Sequence, residues 1–163
     1  MNALRVNSLQ MPEAPPAQGS DGAARGGYIL AEALDADPGA AAPDVVLVAS
    51  GGEVPAALDA RRILQRDGIA TRVVSMPCAA WFRQQSRAYR DTVLPPGAPA
   101  TVSVGAGAEM GRYELLGAAA EYDRGLLDHA GLTPERVAAT ARATLARGAG
   151  AGRAARAGER WPR

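Results

Sequence analysis

Residues 44–77 read DVVLVASGGEVPAALDARRILQRDGIATRVVSMP, and this stretch predicts a strand, a turn, a helix and a second strand. The run 45–49 is short and apolar, as expected for a strand that is buried on both faces of a sheet. Gly51 and Gly52 permit a sharp turn, and Pro55 suits the first turn of a helix, where its missing N–H would have no partner. A unit of about 30 residues in this order is typical of a right-handed βαβ crossover.

The predicted helix of this unit is amphipathic, because apolar residues recur along it at helical spacing. They are Ala56, Ala57, Ala60, Ile63 and Leu64. Gly68 follows as a C-terminal stop, a position where the left-handed backbone favours glycine. The run 71–75 is rich in β-branched residues and predicts the second strand, which Pro77 ends.

Four segments of the chain, taken in order, resemble the C-terminal domain of transketolases. In that family P-D-hydrophobic-ATGSEV leads into an amphipathic helix, a glycine and RVVSMP, as in 44–77 here. Residues 25–30 (RGGYIL) resemble RGGYVL, 82–96 (FRQQSRAYRDTVLPP) resemble F-x-x-Q-x-x-x-Y-R-x-x-V-L-P, and 131–137 (GLTPERV) resemble GFTPENV. Four ordered motifs are far more specific than any one of them, and the resemblance covers residues 25–147.

The resemblance implies an α/β fold: a three-layer sandwich with a mostly parallel sheet of four or five strands and helices on both faces. The family's sheet has five strands, one of them antiparallel. After Gly117 the sequence departs from the family, and about eight residues of its A-V-I-G-I-D strand and F-G-x-S-A-P loop are missing. The segment 118–124 favours helix over strand by propensity, so the last strand is expected to be lost or badly shortened.

Other patterns predict the remaining elements and the limits of the domain. Residues 78–93 predict a helix or two short turns, and 100–104 predict a third core strand. The final helix is expected to begin at Thr133, a plausible N-cap, and to run to about Arg147.

The chain is expected to divide into three parts, with the domain itself at 25–147. Residues 1–24 predict a flexible N-terminal segment, because 12–27 are rich in Pro, Gly, Ala and Ser and indicate a linker. Residues 148–163 are mostly Gly, Ala and Arg and predict a disordered tail.

Composition bounds the classes of function. The net charge of +1 gives no argument for a nucleic-acid partner, and the single cysteine excludes an internal disulfide framework. No apolar run reaches the length of a membrane span, and the N-terminus lacks the pattern of a signal peptide. We therefore expect a cytoplasmic protein that binds neither nucleic acid nor membrane.

The turn formed by Ser50, Gly51, Gly52 and Glu53 is a candidate anion site. It follows a strand and precedes a helix, and open α/β sheets bind ligands at that edge, where a helix N-terminus favours anions. The alternative is that the turn only connects the strand to the helix. The family has TGSEV here, so Gly52 replaces a serine hydroxyl.

Two other features imitate functional motifs. Residues 104–111 nearly form a dinucleotide-binding fingerprint, but Met110 stands where the third glycine belongs. Cys78 would need a histidine base to be a nucleophile, and the single histidine, His129, lies in a segment that the family uses for packing. We expect Cys78 to be a structural thiol.

The resemblance also implies a reaction. Transketolases are transferases that move a two-carbon ketol unit between sugar phosphates, using thiamine diphosphate and a divalent metal. The family's cofactor, metal and catalytic groups lie in its other two domains, so no cofactor-binding, catalytic or metal-ligating residue is expected in this chain. Ser8 holds the position of the family's phosphate-contacting arginine. Thiamine diphosphate and Mg²⁺ are implied only through a partner.

Three hypotheses follow from this. In the first, the chain is the accessory C-terminal subunit of a split transketolase-like enzyme, with a transketolase-like N-terminal subunit carrying the cofactor domains, or it associates with itself. In the second, it is a degenerate stand-alone domain that acts as an interaction module. In the third, it binds a small anion at Ser50–Glu53.

Overall fold

The computed structural model describes residues 19–33, 42–105, 120–121 and 132–158. The strands are β1 (Tyr28–Ala31), β2 (Val45–Ala49), β3 (Thr71–Ser75), β4 (Ala100–Val104) and β5 (Ala120–Glu121). The helices are α1 (Gly19–Ala24), α2 (Val54–Arg66), α3 (Ala79–Arg83), α4 (Arg87–Val93) and α5 (Pro134–Gly158), and a 3₁₀ turn, Gly51–Glu53, precedes α2.

The five strands form one sheet in the order β1-β3-β2-β4-β5. The central strand β2 runs parallel to β3 and to β4, with Val45 opposite both Thr71 and Ala100 at the start of the register. Among the described strands, β1 alone, at one edge, is antiparallel to its neighbour. The predicted mostly parallel α/β sheet is therefore confirmed, with the single antiparallel strand that the family resemblance implied.

Helices cover both faces of this sheet, so the architecture has three layers. Val45, Leu47 and Ala49 pack on one face with residues of α2 and α5. Val46 and Val48 pack on the other face with Phe82 of α3 and Val93 of α4. Every residue of β2 is buried, which explains why this strand is a continuous apolar run instead of an alternating one.

Helix α2 forms where the amphipathic pattern predicted it. Its buried face consists of Val54, Ala57, Ala60 and Leu64, while Ala56 and Ile63 are half-buried. Gly68, with φ of +75°, ends the helix, and the N–H of Ile69 turns back to donate to the carbonyl of Leu64 at 3.1 Å. The chain then enters β3 at the predicted residue, Thr71.

Asp44 ties together the entrances of the three parallel strands. Its carboxylate accepts a hydrogen bond from the N–H of Ala70 at 2.9 Å, and its carbonyl accepts one from the N–H of Ala100 at 3.2 Å. The carboxylate thus replaces a missing ladder partner beside Val45, which explains the Pro-Asp pair that precedes β2.

Part of the predicted linker is helical. Helix α1 occupies Gly19–Ala24 and packs on β1, which corrects the linker prediction for these residues. A Cβ atom on Gly22 would lie 2.5 Å from Cβ of Tyr28, so glycine lets the helix approach the strand closely. The small residues of this segment suggested a linker, but small residues also permit the close packing of a helix on a strand.

The last helix is longer than predicted. It begins as expected, with the N–H of Arg136 donating to Oγ1 of Thr133 at 3.4 Å, but it continues past Arg147 to Gly158. The helix therefore includes 148–158, for which a disordered tail was predicted, while 159–163 lie outside the described residues. Alanine and arginine are strong helix formers, and they outweigh the glycines here. The predicted domain limits of 25 and 147 stay predictions.

The described residues of the last strand are Ala120 and Glu121. They pair with Thr101 and Val102 of β4, so the helical preference of 118–124 is wrong at these two positions. Pairing with a neighbouring strand overrides local propensity. The other residues of that segment lie outside the described part of the chain.

Residues 78–93 form the two short helices α3 and α4, the second of the alternatives considered for this segment. Within the described residues, none of the helices combines the length and apolar character that a membrane crossing would require.

Candidate functional site

The carboxyl ends of the parallel strands define the edge where an open α/β sheet usually binds its ligand. From β2 the chain crosses one face through α2, and from β3 it crosses the other face through α3 and α4. The turn Ser50–Glu53 therefore lies at the end of β2, beside the end of β4.

The four predicted anion-site residues form this turn. Ser50 has an extended backbone (φ −142°, ψ 155°), its hydroxyl does not cap the turn, and Gly51 adopts φ of +53°. The N–H of Glu53 donates to the carbonyl of Ser50 at 3.2 Å, and that of Val54 donates to Gly51. These two donors serve the turn itself, and the Glu53 carboxylate adds negative charge beside it. The turn thus has a clear connecting role, and anion binding stays a prediction.

The other sequence candidates are only partly described. Cys78 is a half-buried free thiol whose backbone N–H donates to the carbonyl of Gly26 at 3.0 Å. The single histidine of the sequence, His129, and the positions of Ser8 and Met110 lie outside the described residues. The structure therefore leaves the predictions for these residues as they were.

Two motifs that are distant in sequence meet at the opposite edge of the sheet. Gly26 has φ of +83°, and a Cβ there would lie 2.3 Å from the carbonyl oxygen of Cys78. A Cβ on Gly27 would lie 2.6 Å from Sδ of Met76. The Tyr89 hydroxyl donates to the carbonyl of Gly27 at 2.8 Å. The RGGY segment therefore needs glycine at position 26 in order to dock under α3 and α4, while Gly27 packs against the flexible end of Met76.

Sequence reasoning missed a cleft of about 220 Å³ between α1, β1 and α4. The guanidinium of Arg25 stacks over the ring of Tyr89, with its carbon 4.8 Å from the ring centroid, and Ile29 and Val93 also line the cleft. Burial raises the pKa of Tyr89, and the nearby Arg25 opposes this shift. The sequence showed the RGGY and YR motifs in order along the chain. That order does not reveal that Arg25 of the first motif lies over Tyr89 of the second.

A second polar cluster joins β1 to β3 and α4. Arg72 donates through Nε and Nη2 to the two carboxylate oxygens of Glu32, at 2.8 and 3.1 Å, and through Nη1 to the carbonyl of Thr92 at 2.8 Å. Arg61 of α2 donates to the carbonyls of Glu32 and Thr71. Burial lowers the pKa of Arg61, assisted by the neighbouring Arg62 and opposed by Glu32. This cluster links β1, α2, β3 and α4 together.

In the described ranges, three or more His, Cys, Asp or Glu side chains nowhere gather in a group that could hold a metal ion.

Comparisons with known proteins agree with this geometry. The family model described as the transketolase-like TK C-terminal domain matches residues 26–128. Transketolase of Mycobacterium tuberculosis is 41% identical over 137 residues, which cover 77% of this chain and 19% of that enzyme. The chromosomal transketolase of Cupriavidus necator is 46% identical over 154 residues, 87% of this chain and 22% of that enzyme.

Solved structures show the same relationship. Transketolase from Leishmania mexicana superimposes with a TM-score of 0.63 at 34% identity, covering 78% of this chain and 19% of that one. The chain thus spans about a fifth of the length of the relatives it matches. It belongs to the transketolase family and has the fold of that family's C-terminal domain.

Proposed function

We propose that this chain supplies the C-terminal domain of a thiamine-diphosphate-dependent ketol-transfer enzyme and is not catalytic alone. The observation that carries the proposal is the extent of the match: one domain of the relatives, about a fifth of their length, accounts for most of this chain. The domain's role is to bury apolar surface against the domains that bind the cofactor, either in a partner subunit or within a longer assembly.

The chemistry of the described residues supports a docking role over a catalytic one. A cofactor reaction requires protein groups that bind the cofactor and position its reactive atom. The described residues lack a metal-binding cluster, and the candidate turn Ser50–Glu53 carries its own carboxylate. Thiamine diphosphate and Mg²⁺ are therefore assigned to a transketolase-like N-terminal partner. The alternative to such a partner is that the chain associates with itself. The expectation of a cytoplasmic location goes with this proposal.

Reconstitution tests the proposal. The full chain is mixed with a transketolase truncated before its C-terminal domain, and ketol transfer between sugar phosphates is measured. We expect no turnover and no heat of thiamine diphosphate binding with the chain alone, and activity when the two components are combined. Turnover by the chain alone, or micromolar binding of the cofactor to it, would refute the proposal.

Two variants control this experiment. Leu47→Asp places a charge in the fully buried central strand and should abolish reconstitution by unfolding the domain. Arg62→Gln changes a side chain that is 69% exposed on α2 and should leave reconstitution unchanged. If neither variant differs from the unmodified chain, the gain in activity does not come from the folded domain.

A second candidate function is a stand-alone interaction module, which the departure from the family's TGSEV motif at Gly52 favours. A module of this kind would bind the truncated transketolase without restoring activity. Co-purification without turnover therefore distinguishes it from the first proposal. Phosphate titration followed at the amides of Ser50–Glu53 tests the third candidate, the anion site.

A further inference from the structure

The cleft between α1, β1 and α4 brings two opposite charges to one apolar floor. Its volume is about 220 Å³, and Asp21 and Arg25 line it together with Ile29, Tyr89 and Val93. Ile29 and Val93 belong to the buried apolar cluster under α3 and α4, so the floor of the cleft is apolar. The two charged residues are exposed, which places them at the mouth.

Arg25 is held in place while its hydrogen-bond donors remain available. Its guanidinium stacks on the Tyr89 ring, which the hydrogen bond to the Gly27 carbonyl and the edge contact with Phe82 (ring centroids 6.1 Å apart) keep fixed. Stacking uses the face of the guanidinium and leaves its in-plane N–H groups for a planar anion. The Arg25 side chain has no hydrogen bond or ion pair with the described residues.

Asp21 lies in α1, and Arg25 follows the helix in the turn that leads to β1. The N–H of Arg25 donates to the carbonyls of Asp21 at 3.2 Å and of Gly22 at 3.1 Å, so the two charged residues are about one turn apart. Side chains four apart on a helix are neighbours, yet the two charges do not pair here, because Arg25 lies on Tyr89 instead. The Asp21 carboxylate likewise has no side-chain partner among the described residues.

We propose that this cleft binds a small zwitterion, an α-amino acid with a branched apolar side chain. Arg25 receives the carboxylate, Asp21 receives the ammonium group, and the side chain rests on Ile29 and Val93. Asp21 would repel a simple anion, and Arg25 would repel a simple cation. A ligand that carries both charges can form a favourable ion pair with each residue. The cleft volume of about 220 Å³ admits an amino acid of the size of valine or leucine.

The test titrates the full, isotopically labelled chain with L-leucine and follows the resonances of Tyr89, Ile29 and Val93 by NMR. Two half-ligands serve as probes: 4-methylpentanoate, which lacks the ammonium group, and 3-methylbutylamine, which lacks the carboxylate. We expect leucine to shift these resonances in a saturable way and each half-ligand to bind about tenfold more weakly or less. Half-ligands that bind as well as leucine overturn the proposal, as does the absence of shifts near the solubility limit of leucine.

Single substitutions test the roles of the two charged residues separately. Asp21→Asn should weaken leucine binding about tenfold while leaving 4-methylpentanoate binding unchanged or stronger, since the repelling carboxylate is gone. Arg25→Gln should abolish the binding of both leucine and 4-methylpentanoate, because both ligands carry the carboxylate that Arg25 receives. Asp59→Asn, which alters an exposed carboxylate on α2, is the matched control and should bind leucine normally. Equal binding by Asp21→Asn and the control would overturn the assignment. The far-UV circular dichroism of each variant verifies its fold.

Discussion

At the scale of single residues, glycines decide how closely the segments of this domain approach one another. Gly26 combines a left-handed backbone with a carbonyl oxygen 2.3 Å from its missing Cβ, whereas Gly52 has nothing within 4 Å of that position. We predict that Gly26→Ala lowers the free energy of unfolding by more than about 2 kcal/mol, because the backbone strain and the clash add. Gly52→Ala should change it by less than about 0.5 kcal/mol. Urea unfolding measures both, and equal effects would show that the RGGY segment is not tightly docked.

Tyr89 makes the stability of the domain depend on pH. Burial raises its pKa in the folded state, so the folded protein retains a proton that the unfolded chain loses above its ordinary pKa of about 10. The contribution of Tyr89 to the free energy of unfolding is therefore fully present below about pH 10. It is lost as the pH rises through the higher pKa of the folded state. The loss should be small, because Arg25 opposes the shift and the side chain is only partly buried. Urea unfolding of the wild type and Tyr89→Phe at several pH values tests this: a difference that grows with pH would contradict the sign.

At the scale of elements, Arg72 connects an edge strand, a central strand and the end of α4. Its partner Glu32 is 56% exposed, so their ion pair alone contributes less than about 1 kcal/mol. Arg72 also donates to the carbonyls of Thr92 and Val93, which end α4. We predict that Arg72→Gln costs about 1–3 kcal/mol and Glu32→Gln less than about 1 kcal/mol. A double-mutant cycle in low and high salt measures the pair; coupling that survives high salt undiminished would contradict a surface ion pair.

The elements also explain how far sequence could predict this fold. The bounds of β2 and β3 coincide with the predicted runs 45–49 and 71–75, because apolar runs, a helix-starting proline and a stop glycine carry local information. The close packing of α5 at Gly148 is non-local, because a Cβ there would lie 2.6 Å from the carbonyl oxygen of Pro99. The pairing of Ala120 with Thr101 is equally non-local.

The same distinction applies to the candidate sites. The turn Ser50–Glu53 could be predicted as a unit because its residues are adjacent and follow a recognisable strand. The cleft could not, because Tyr89 meets Gly27 across 62 positions and Asp21 belongs to a segment whose composition suggests a linker. Local composition contains no record of which face of α1 packs on β1.

At the scale of the whole molecule, docking should appear as stability. A partner that binds only the folded domain raises its free energy of unfolding by about 2.7 kcal/mol when present at a hundred times its dissociation constant. We predict that the truncated transketolase raises the unfolding midpoint of this chain in proportion to the logarithm of its concentration. If the chain instead associates with itself, the midpoint should rise with its own concentration and not respond to the partner. Calorimetry at several concentrations of each component separates the two cases. A midpoint that is insensitive to both would contradict any docking role and leave an isolated three-layer domain.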